Sequence, residues 1–343
     1  MIDFTCDYSE GAHPAILERL VDTNLEQTPG YGEDRYCQAA REKIRARCGD
    51  VDVHFLVGGT QANLTVIAFL LKPWQGVLCA DTGHINQHET GAIEATGHKV
   101  LSLPSRDGKI TAAQVEQAVR EHQADATHEH RVQPGMVFIG SPTECGTVYT
   151  REELAALSKV CRRYNLPLYL DGARLGYGMA IGDGSLRWED LTACCDIFYI
   201  GGTKVGALFG EAVVIVNPAL RTDFRYIMKQ RGAMLAKGRL LGLQFDTLFT
   251  DHLYETISRH AVEQAQRIRS AFLKKGIPLL FDSPTNQQFP ILHQDQQAFL
   301  SRNFSFCYWE KVDENRDSVR FCTSWATRDE DVTALIQAIE QMP

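Results

Sequence analysis

Two short apolar runs, each ending at once in glycine and a chemically capable side chain, constrain this chain more than any other feature. The first, Leu166-Pro167-Leu168-Tyr169-Leu170, leads into Asp171-Gly172-Ala173-Arg174. The second, Asp196-Ile197-Phe198-Tyr199-Ile200, leads into Gly201-Gly202-Thr203-Lys204. Runs of this kind read as strands buried on both faces, which is what a parallel sheet covered by helices requires. Ligands of such sheets sit in the crevice outside the carboxyl ends of the strands. An aspartate, an arginine and a lysine are therefore expected to converge on one crevice.

The surrounding chain repeats strand and helix in alternation. Strands are expected at Val51–Val57, Val77–Ala80, Val100–Pro104, Met136–Gly140 and Gly210–Val216, and helices at Ala15–Leu25, Arg35–Cys48, Leu64–Leu71, Thr111–Glu121 and Leu154–Tyr164. Thr111 caps one of these helices, and Thr150-Arg151-Glu152-Glu153 is a capping box for another. The alternation argues for an α/β fold with a mostly parallel sheet and helices on both faces. One long helical pattern runs from Arg239 to Leu273. Beyond Gly276 the character changes to short strands and a final helix from Asp329. The 343 residues are enough for two cores. The expected division is an N-terminal arm at 1–20, a large cofactor-binding domain at 21–245 and a small C-terminal α/β domain at 246–343, with the long helix near 239–273 at the boundary.

A net charge of -8, spread along the chain, disfavours a nucleic-acid or anionic-membrane surface. No apolar run reaches the length of a membrane span, and Met1-Ile2-Asp3-Phe4-Thr5-Cys6-Asp7 lacks the basic start and apolar core of a signal peptide. The expectation is a cytoplasmic protein whose scattered cysteines are reduced. The adjacent Cys194-Cys195 read as small hydrophobes before a buried strand.

Three further segments bear on chemistry. After the strand at Val51–Val57, Gly58-Gly59-Thr60-Gln61-Ala62-Asn63 leads into a helix. Strand, small-residue turn and helix present free N–H groups and the positive end of the helix dipole to an anion. The turn is neither a P-loop nor the dinucleotide fingerprint, so a phosphate seat is expected without a nucleotide. In His84-Ile85-Asn86-Gln87-His88-Glu89, two histidines and a glutamate invite a metal reading, but the HExxH order is absent. The competing reading lays His84 flat against a planar cofactor, with Glu89 orienting its neighbours, and no metal. Lys204 alone could be a snorkelling lysine at a strand end. A lysine able to form an imine, an acid to partner a pyridinium and a phosphate seat on the same edge together describe pyridoxal phosphate.

Gly59-Thr60-Gln61-Ala62-Asn63, His84-Ile85-Asn86, Leu170-Asp171-Gly172-Ala173-Arg174-Leu175, Gly201-Gly202-Thr203-Lys204 and Val319-Arg320-Phe321-Cys322-Thr323-Ser324-Trp325 occur in an order that covers nearly the whole chain. In this the sequence resembles the threonine aldolase and aromatic amino acid β-eliminating lyase family of fold-type I pyridoxal-phosphate enzymes. The resemblance implies a mostly parallel sheet of the seven-stranded type, and it assigns roles by position. Lys204 becomes the Schiff-base lysine, Asp171 the partner of the pyridine nitrogen, and His84 the residue stacked on the ring. Gly59, Thr60 and Thr203 hold the phosphate, and Arg174 and Arg320 clamp the substrate carboxylate. His130 falls where the family has a second active-site histidine. Tyr31 matches a loop tyrosine that enters the neighbouring subunit's site, and Lys237 is a candidate phosphate contact across that interface, so a homo-oligomer with active sites between subunits is implied.

Two departures stand out. The family's Arg-Ser-Asp-Thr segment is here Thr5-Cys6-Asp7-Tyr8, which leaves Ser9 as a substitute for the missing serine. The asparagine-containing stretch after the middle strand is here Pro142-Thr143-Glu144, which adds a carboxylate near the cofactor. The expected reaction is reversible cleavage of a β-hydroxy-L-amino acid to glycine and an aldehyde, with His84 or His130 as base. The alternative is β-elimination from an aromatic or sulfur amino acid; a cofactor-binding protein without turnover and a metal hydrolase built on His84, His88 and Glu89 stand further off.

Overall fold

In the computed structural model, which describes residues 1–343, the chain begins with β1 (Ile2–Asp3), α1 (Pro14–Asp22) and α2 (Arg35–Cys48). Strands and helices then alternate as β2 (Asp52–Leu56), α3 (Gly59–Leu70), β3 (Gln75–Ala80), α4 (His84–Gln87), β4 (Lys99–Leu103), α5 (Ala112–Ala124), β5 (Gln133–Gly140), α6 (Arg151–Arg163) and β6 (Leu168–Asp171). Two short helices, α7 (Leu175–Met179) and α8 (Trp188–Cys194), precede β7 (Ile197–Gly201) and β8 (Glu211–Ile215). The strands from β2 to β8 make one seven-stranded sheet in the order β2-β8-β7-β6-β5-β3-β4. Its neighbours are parallel except where β8 is involved, which runs antiparallel to both β2 and β7. The expected fold class, α/β with a mostly parallel sheet, is the one observed.

The sheet separates two apolar layers, and alternate residues of a strand serve opposite sides. Leu168 and Leu170 of β6 and Phe198 and Ile200 of β7 enter the larger cluster, whereas Tyr169, Ile197 and Tyr199 enter the other. Fully burying each such side chain stabilises the fold by about 1.5–3 kcal/mol, and these strands have no solvated face on which a polar residue could sit. The caps expected for α5 and α6 are present: Thr111 with Gln114 and Thr150 with Glu153 form reciprocal capping boxes. Helix α3 starts at Gly59 rather than near Leu64, because its first turn is built from small and polar residues that carry no apolar periodicity.

The chain continues through α9 (Phe224–Gln230), α10 (Arg239–Leu248), α11 (Leu253–Lys274), β9 (Gln287–Gln288), β10 (Ile291–His293), α12 (Gln294–Leu300), β11 (Phe304–Ser305), β12 (Cys307–Lys311), β13 (Arg316–Cys322) and α13 (Asp329–Gln341). The single long helix expected at 239–273 is two helices. Asp251 and His252 take left-handed conformations, φ 48° and 57°, and break it between α10 and α11. The apolar spacing runs on through this break, so periodicity alone could not locate it.

A third core holds Phe272, Leu292, Phe321 and Leu335 of the C-terminal part. Helix α11 straddles the cores: Ala261 and Val262 face the large cluster, while Ile268 and Phe272 face the small one. The N-terminal residues also join the C-terminal body. Strand β1 pairs in parallel with β11, and Phe4 lies among Phe304 and Phe321. The chain's start therefore reaches across from the small body before α1 settles on the large one, where Ile16 is buried. No helix is long and apolar enough to cross a membrane.

Candidate active site

The ends of β6 and β7 approach so closely that only glycine fits between them. Gly201 N–H donates to Gly172 O at 2.9 Å. A Cβ on Gly172 would stand 2.0 Å from Tyr199 O, and one on Gly201 would stand 2.2 Å from Ala173 O. Both obstacles are backbone, which cannot rotate away. The two glycines thus let the strands deliver Asp171 and Lys204 to the same edge, as the opening motif requires.

Asp171, buried at the end of β6, accepts three hydrogen bonds: Ala173 N–H at 3.0 Å and Tyr199 O–H at 2.5 Å on Oδ1, and Asn63 Nδ2 at 3.1 Å on Oδ2. Asn63 is itself held by Tyr169 O–H at 2.9 Å and donates to Glu89 Oε1 at 2.7 Å. Glu89 Oε1 lies 2.8 Å from His84 Nδ1. A continuous chain therefore links His84, Glu89, Asn63, Asp171 and Tyr199 across α4, α3, β6 and β7. Burial pushes the His84 pKa down, but the Glu89 hydrogen bond and the Asp171 charge outweigh it, and the net shift is upward. His84 and His88 sit with ring centroids 5.6 Å apart. No three His, Cys, Asp or Glu side chains converge in a metal-holding group.

Beside this chain lies an open helix terminus. Gly58 caps α3 without a side-chain partner, and the N–H groups of Gly59, Thr60 and Gln61 have no acceptor in the protein. A Cβ on Gly59 would be 3.0 Å from Tyr199 Oη, which places the terminus against the Asp171 network. Thr203 and Lys204 follow β7 at the same edge, with the turn held by Tyr177 O–H on Lys204 O at 2.5 Å and Tyr254 O–H on Gly201 O at 2.9 Å. Thr203 Oγ1 accepts Gly210 N–H at 3.0 Å. Burial and the Arg174 charge lower the Lys204 pKa, against the pull of Asp7, Asp171 and Glu211. A half-buried lysine that gives up its proton readily is a nucleophilic amine. Glu211, buried where β8 meets both β2 and β7, accepts Gly202 N–H at 3.0 Å; burial raises its pKa. An anion seat, an acid held by three donors and a lysine of lowered pKa are the parts a pyridoxal phosphate needs, and on this edge they fit that group.

The two arginines reach the crevice from different bodies. Arg174 follows β6, and its Nε and Nη2 lie 2.7 and 3.0 Å from the two oxygens of the fully buried Asp7. Only Nη1 is left without an acceptor in the protein, so the clamp expected of Arg174 is already half engaged. Asn286 of the C-terminal body donates to Asp7 Oδ2 as well, at 2.9 Å. Arg320, on β13, donates to Thr5 O at 2.9 Å and Gln287 Oε1 at 3.2 Å, while its Nε is buried without a partner. The charges of Arg174, Arg320 and Lys204 all bear on His88 and lower its pKa, after burial.

Other expected site residues fall elsewhere. Ser9 is exposed, and its hydroxyl lies within reach of Asp3 and Cys6 rather than either arginine; Asp7 meets Arg174 in its place. His130 is an exposed residue of a single 3-10 turn, His128–His130, just before β5. It thus sits at the opposite end of β5 from Gly140 and the crevice, roughly 25 Å away at about 3.3 Å per strand residue, and within one chain it is no part of the cluster. Tyr31 and Lys237 are also exposed, in neighbouring segments: Tyr31 N–H donates to Ala236 O at 3.2 Å, and the Lys229 ammonium lies 4.7 Å from the Tyr31 ring centroid. Asn63, Asp7 and Glu211 were not singled out from sequence. A charged residue opening the apolar strand of Glu211, and Asn63 one turn into a helix behind an anion seat, are the signals that could have found two of them.

Comparison with known proteins agrees with this geometry. The family model described as β-eliminating lyase matches residues 3–320. The low specificity L-threonine aldolase of Pseudomonas sp. (strain NCIMB 10558) is 30% identical over 339 residues, covering 97% of this chain and 95% of its own. That of Pseudomonas aeruginosa is 30% identical over 344 residues, covering 98% and 96%. The solved structure of Leishmania major threonine aldolase superposes with a TM-score of 0.96 at 40% identity, covering 99% of both chains. More distant neighbours with the same fold include a histidinol-phosphate aminotransferase from Clostridium acetobutylicum, TM-score 0.75 at 13% identity. With its lysine, acid and anion seat on one edge and a match that runs nearly end to end, the chain belongs to the threonine aldolase and β-eliminating lyase family.

Proposed function

We propose that this protein is a pyridoxal-phosphate-dependent aldehyde-lyase of the L-threonine aldolase kind, cleaving β-hydroxy-L-amino acids such as threonine, allo-threonine or phenylserine to glycine and an aldehyde. The observation that carries the reading is the hydrogen-bonded chain from His84 through Glu89 and Asn63 to Asp171, standing beside Lys204 and the open terminus of α3. Bound there, pyridoxal phosphate supplies an electron sink conjugated to the substrate nitrogen. Gly59, Thr60 and Thr203 are the residues to hold its phosphate, Asp171 its ring nitrogen, His84 a ring face and Lys204 its carbonyl carbon.

The chain's own groups do the rest. Arg320 and the free Nη1 of Arg174 hold the substrate carboxylate, the task to which a planar guanidinium is suited. That anchor would set how the substrate's Cα is presented to the bound group. Lys204, once it has taken up a proton, would deliver it to Cα after cleavage. Tyr169, Asn63 and Glu89 keep Asp171 and His84 in register, so that the electron sink and the stacked ring are in place before the substrate arrives.

The exposed patch of Tyr31 and Lys237 supports a homo-oligomer in which each copy completes its neighbour's site. Sedimentation at micromolar concentration tests this; a fully active monomer would refute it. The family model's name keeps β-elimination as the second reading. Aldehyde release from threonine or phenylserine, measured against pyruvate and ammonia from sulfur or aromatic amino acids, separates the two, and pyruvate without aldehyde overturns the aldolase reading.

A further inference from the structure

The reaction so far leaves Glu144, a carboxylate of the crevice, without a task. It follows β5 on a loop that is held from three sides. Ser141 N–H donates to Asp171 O at 3.0 Å, and Thr143 N–H to Thr147 O at 2.9 Å. The hydroxyls of Thr143 and Thr147 both reach Asp107 O, at 3.3 and 2.7 Å. From the C-terminal body, the hydroxyls of Ser283 and Thr285 donate to Gly146 O at 3.1 and 3.0 Å. A loop fixed this way presents its side chain with little freedom.

The carboxylate folds back over the strand end. Its oxygens lie 3.7 and 3.8 Å from where a Cβ on Gly140 would stand, and Gly140 is the register partner of Asp171. Along the sheet edge the order is therefore anion seat and Lys204, then Asp171, then Glu144, then His84. Glu144 stands on the far side of Asp171 from the anion seat, at the open edge of the crevice. It is half-buried, and no other residue hydrogen-bonds its carboxylate, whereas Asp171 next to it accepts three.

We propose that the Glu144 carboxylate is the base that takes the proton of the substrate's β-hydroxyl group. The inference rests on the β-hydroxy amino acid reading above and deepens it. In the step, the hydroxyl proton moves to a Glu144 oxygen, the O–H pair becomes the second bond of the aldehyde, and the Cα–Cβ pair stays with the glycine carbon. Glu144 passes its proton through crevice water to the Lys204 amine, and the ammonium so formed delivers a proton to that carbon, so both groups end as they began and the cycle closes with no net gain or loss. His84 is the lesser base, because its Nδ1 is engaged by Glu89 Oε1 at 2.8 Å. Burial and the Asp171 charge raise the Glu144 pKa, against His84, its own backbone N–H and Arg174, and a raised pKa is the direction that suits a carboxylate base. Cys79 of β3, Cys145 and Tyr149 are the remaining titratable groups that its charge reaches.

The test uses the full-length enzyme saturated with pyridoxal phosphate and the near-isosteric variant Glu144→Gln. Two rates are compared: aldehyde release from threonine and phenylserine, and exchange of the glycine Cα hydrogen with D2O followed by proton NMR. Exchange uses the same lysine and cofactor but involves no β-hydroxyl. We expect cleavage to fall about 100-fold, within the usual worth of a general base, with exchange kept within about threefold. A loss of cleavage less than about tenfold greater than the loss of exchange overturns the proposal, as does failure of Glu144→Asp to restore part of the cleavage. In cofactor-free protein, the infrared difference between wild type and Glu144→Gln should show a carboxyl that protonates above the usual glutamate range; its absence also overturns it. Wild-type protein that exchanges glycine yet releases no aldehyde from any β-hydroxy amino acid refutes the function itself, a result distinct from an unimpaired Glu144→Gln.

Discussion

Removing the Asp7 carboxylate should cost this protein a large fraction of its stability. Asp7 has no exposed side-chain surface and Arg174 only 10%, and their paired contacts are 2.7 and 3.0 Å. Asp7→Ala leaves a buried guanidinium without its counter-ion, near the Lys204 amine, and deprives the Asn286 amide of an acceptor. Breaking a buried pair by deleting one partner costs about 3–5 kcal/mol, against a total of roughly 5–15 kcal/mol for a typical fold. Urea unfolding of the cofactor-free protein, followed by tryptophan fluorescence, measures it, with Asp7→Ala, Arg174→Met and the double variant closing a cycle. The double variant should be markedly more stable than the two single losses sum to, because no unpaired charge is left behind. The pH dependence carries a sign. Burial pushes the Asp7 pKa up, but the charges of Arg174 and Lys204 outweigh it and hold it below 3.8. A carboxyl depressed in the folded state stabilises above its unfolded pKa, and that contribution is lost as pH falls through the folded value. The gap between wild type and Asp7→Ala should thus be full at pH 7 and at pH 5 and close below about pH 4. A loss under about 1 kcal/mol at pH 7, or a gap that persists undiminished at pH 2, would refute the reasoning.

Three other outcomes follow from the same geometry. Gly201→Ala, whose Cβ would stand 2.2 Å from Ala173 O, should destabilise by at least the 1–3 kcal/mol of ordinary overpacking and abolish cofactor uptake, whereas Gly11→Ala, with nothing within 4 Å, should be close to neutral; thermal melts compare them. Glu89→Gln should lower the His84 pKa, because the Glu89 bond is what holds it up; two-dimensional NMR of the imidazole reports it, and an unmoved midpoint contradicts the assignment. Its effect on stability should be largest at acid pH and fade as pH rises through the wild-type His84 pKa. Lys204→Ala should abolish the borohydride-reducible visible band that the wild type shows with pyridoxal phosphate; a band that survives refutes the role of that lysine.

The apolar runs of β6 and β7 left little freedom about architecture. Strands with no polar face must be covered on both sides, and a strand-helix alternation supplies the cover, so the sheet, its edge and the convergence of Asp171 and Lys204 were legible before any coordinate. The close approach of Gly172 and Gly201 was foreshadowed by glycine at each strand end. The caps of α5 and α6 were legible for a different reason: donor and acceptor lie three residues apart, so the chemistry is local.

What escaped was whatever joins residues far apart in the chain. Asp7 and Arg174 are separated by 167 positions, Asn63 and Asp171 by 108, and Asp7 and Asn286 by 279. Nothing in the pattern around any of these residues names its partner. The same limit misplaced Ser9, whose place beside Arg174 belongs to Asp7, and joined α10 to α11 across two left-handed residues. His130 sits in a segment whose motif suited the site, yet that segment enters β5 from the edge opposite the crevice. Periodicity and turn chemistry are local signals and determine which elements form and which edge carries the chemistry. Which donor holds which carboxylate, and that Glu144 stands beside Asp171 with no hydrogen bond from another residue, depends on distances closed only when the sheet assembles.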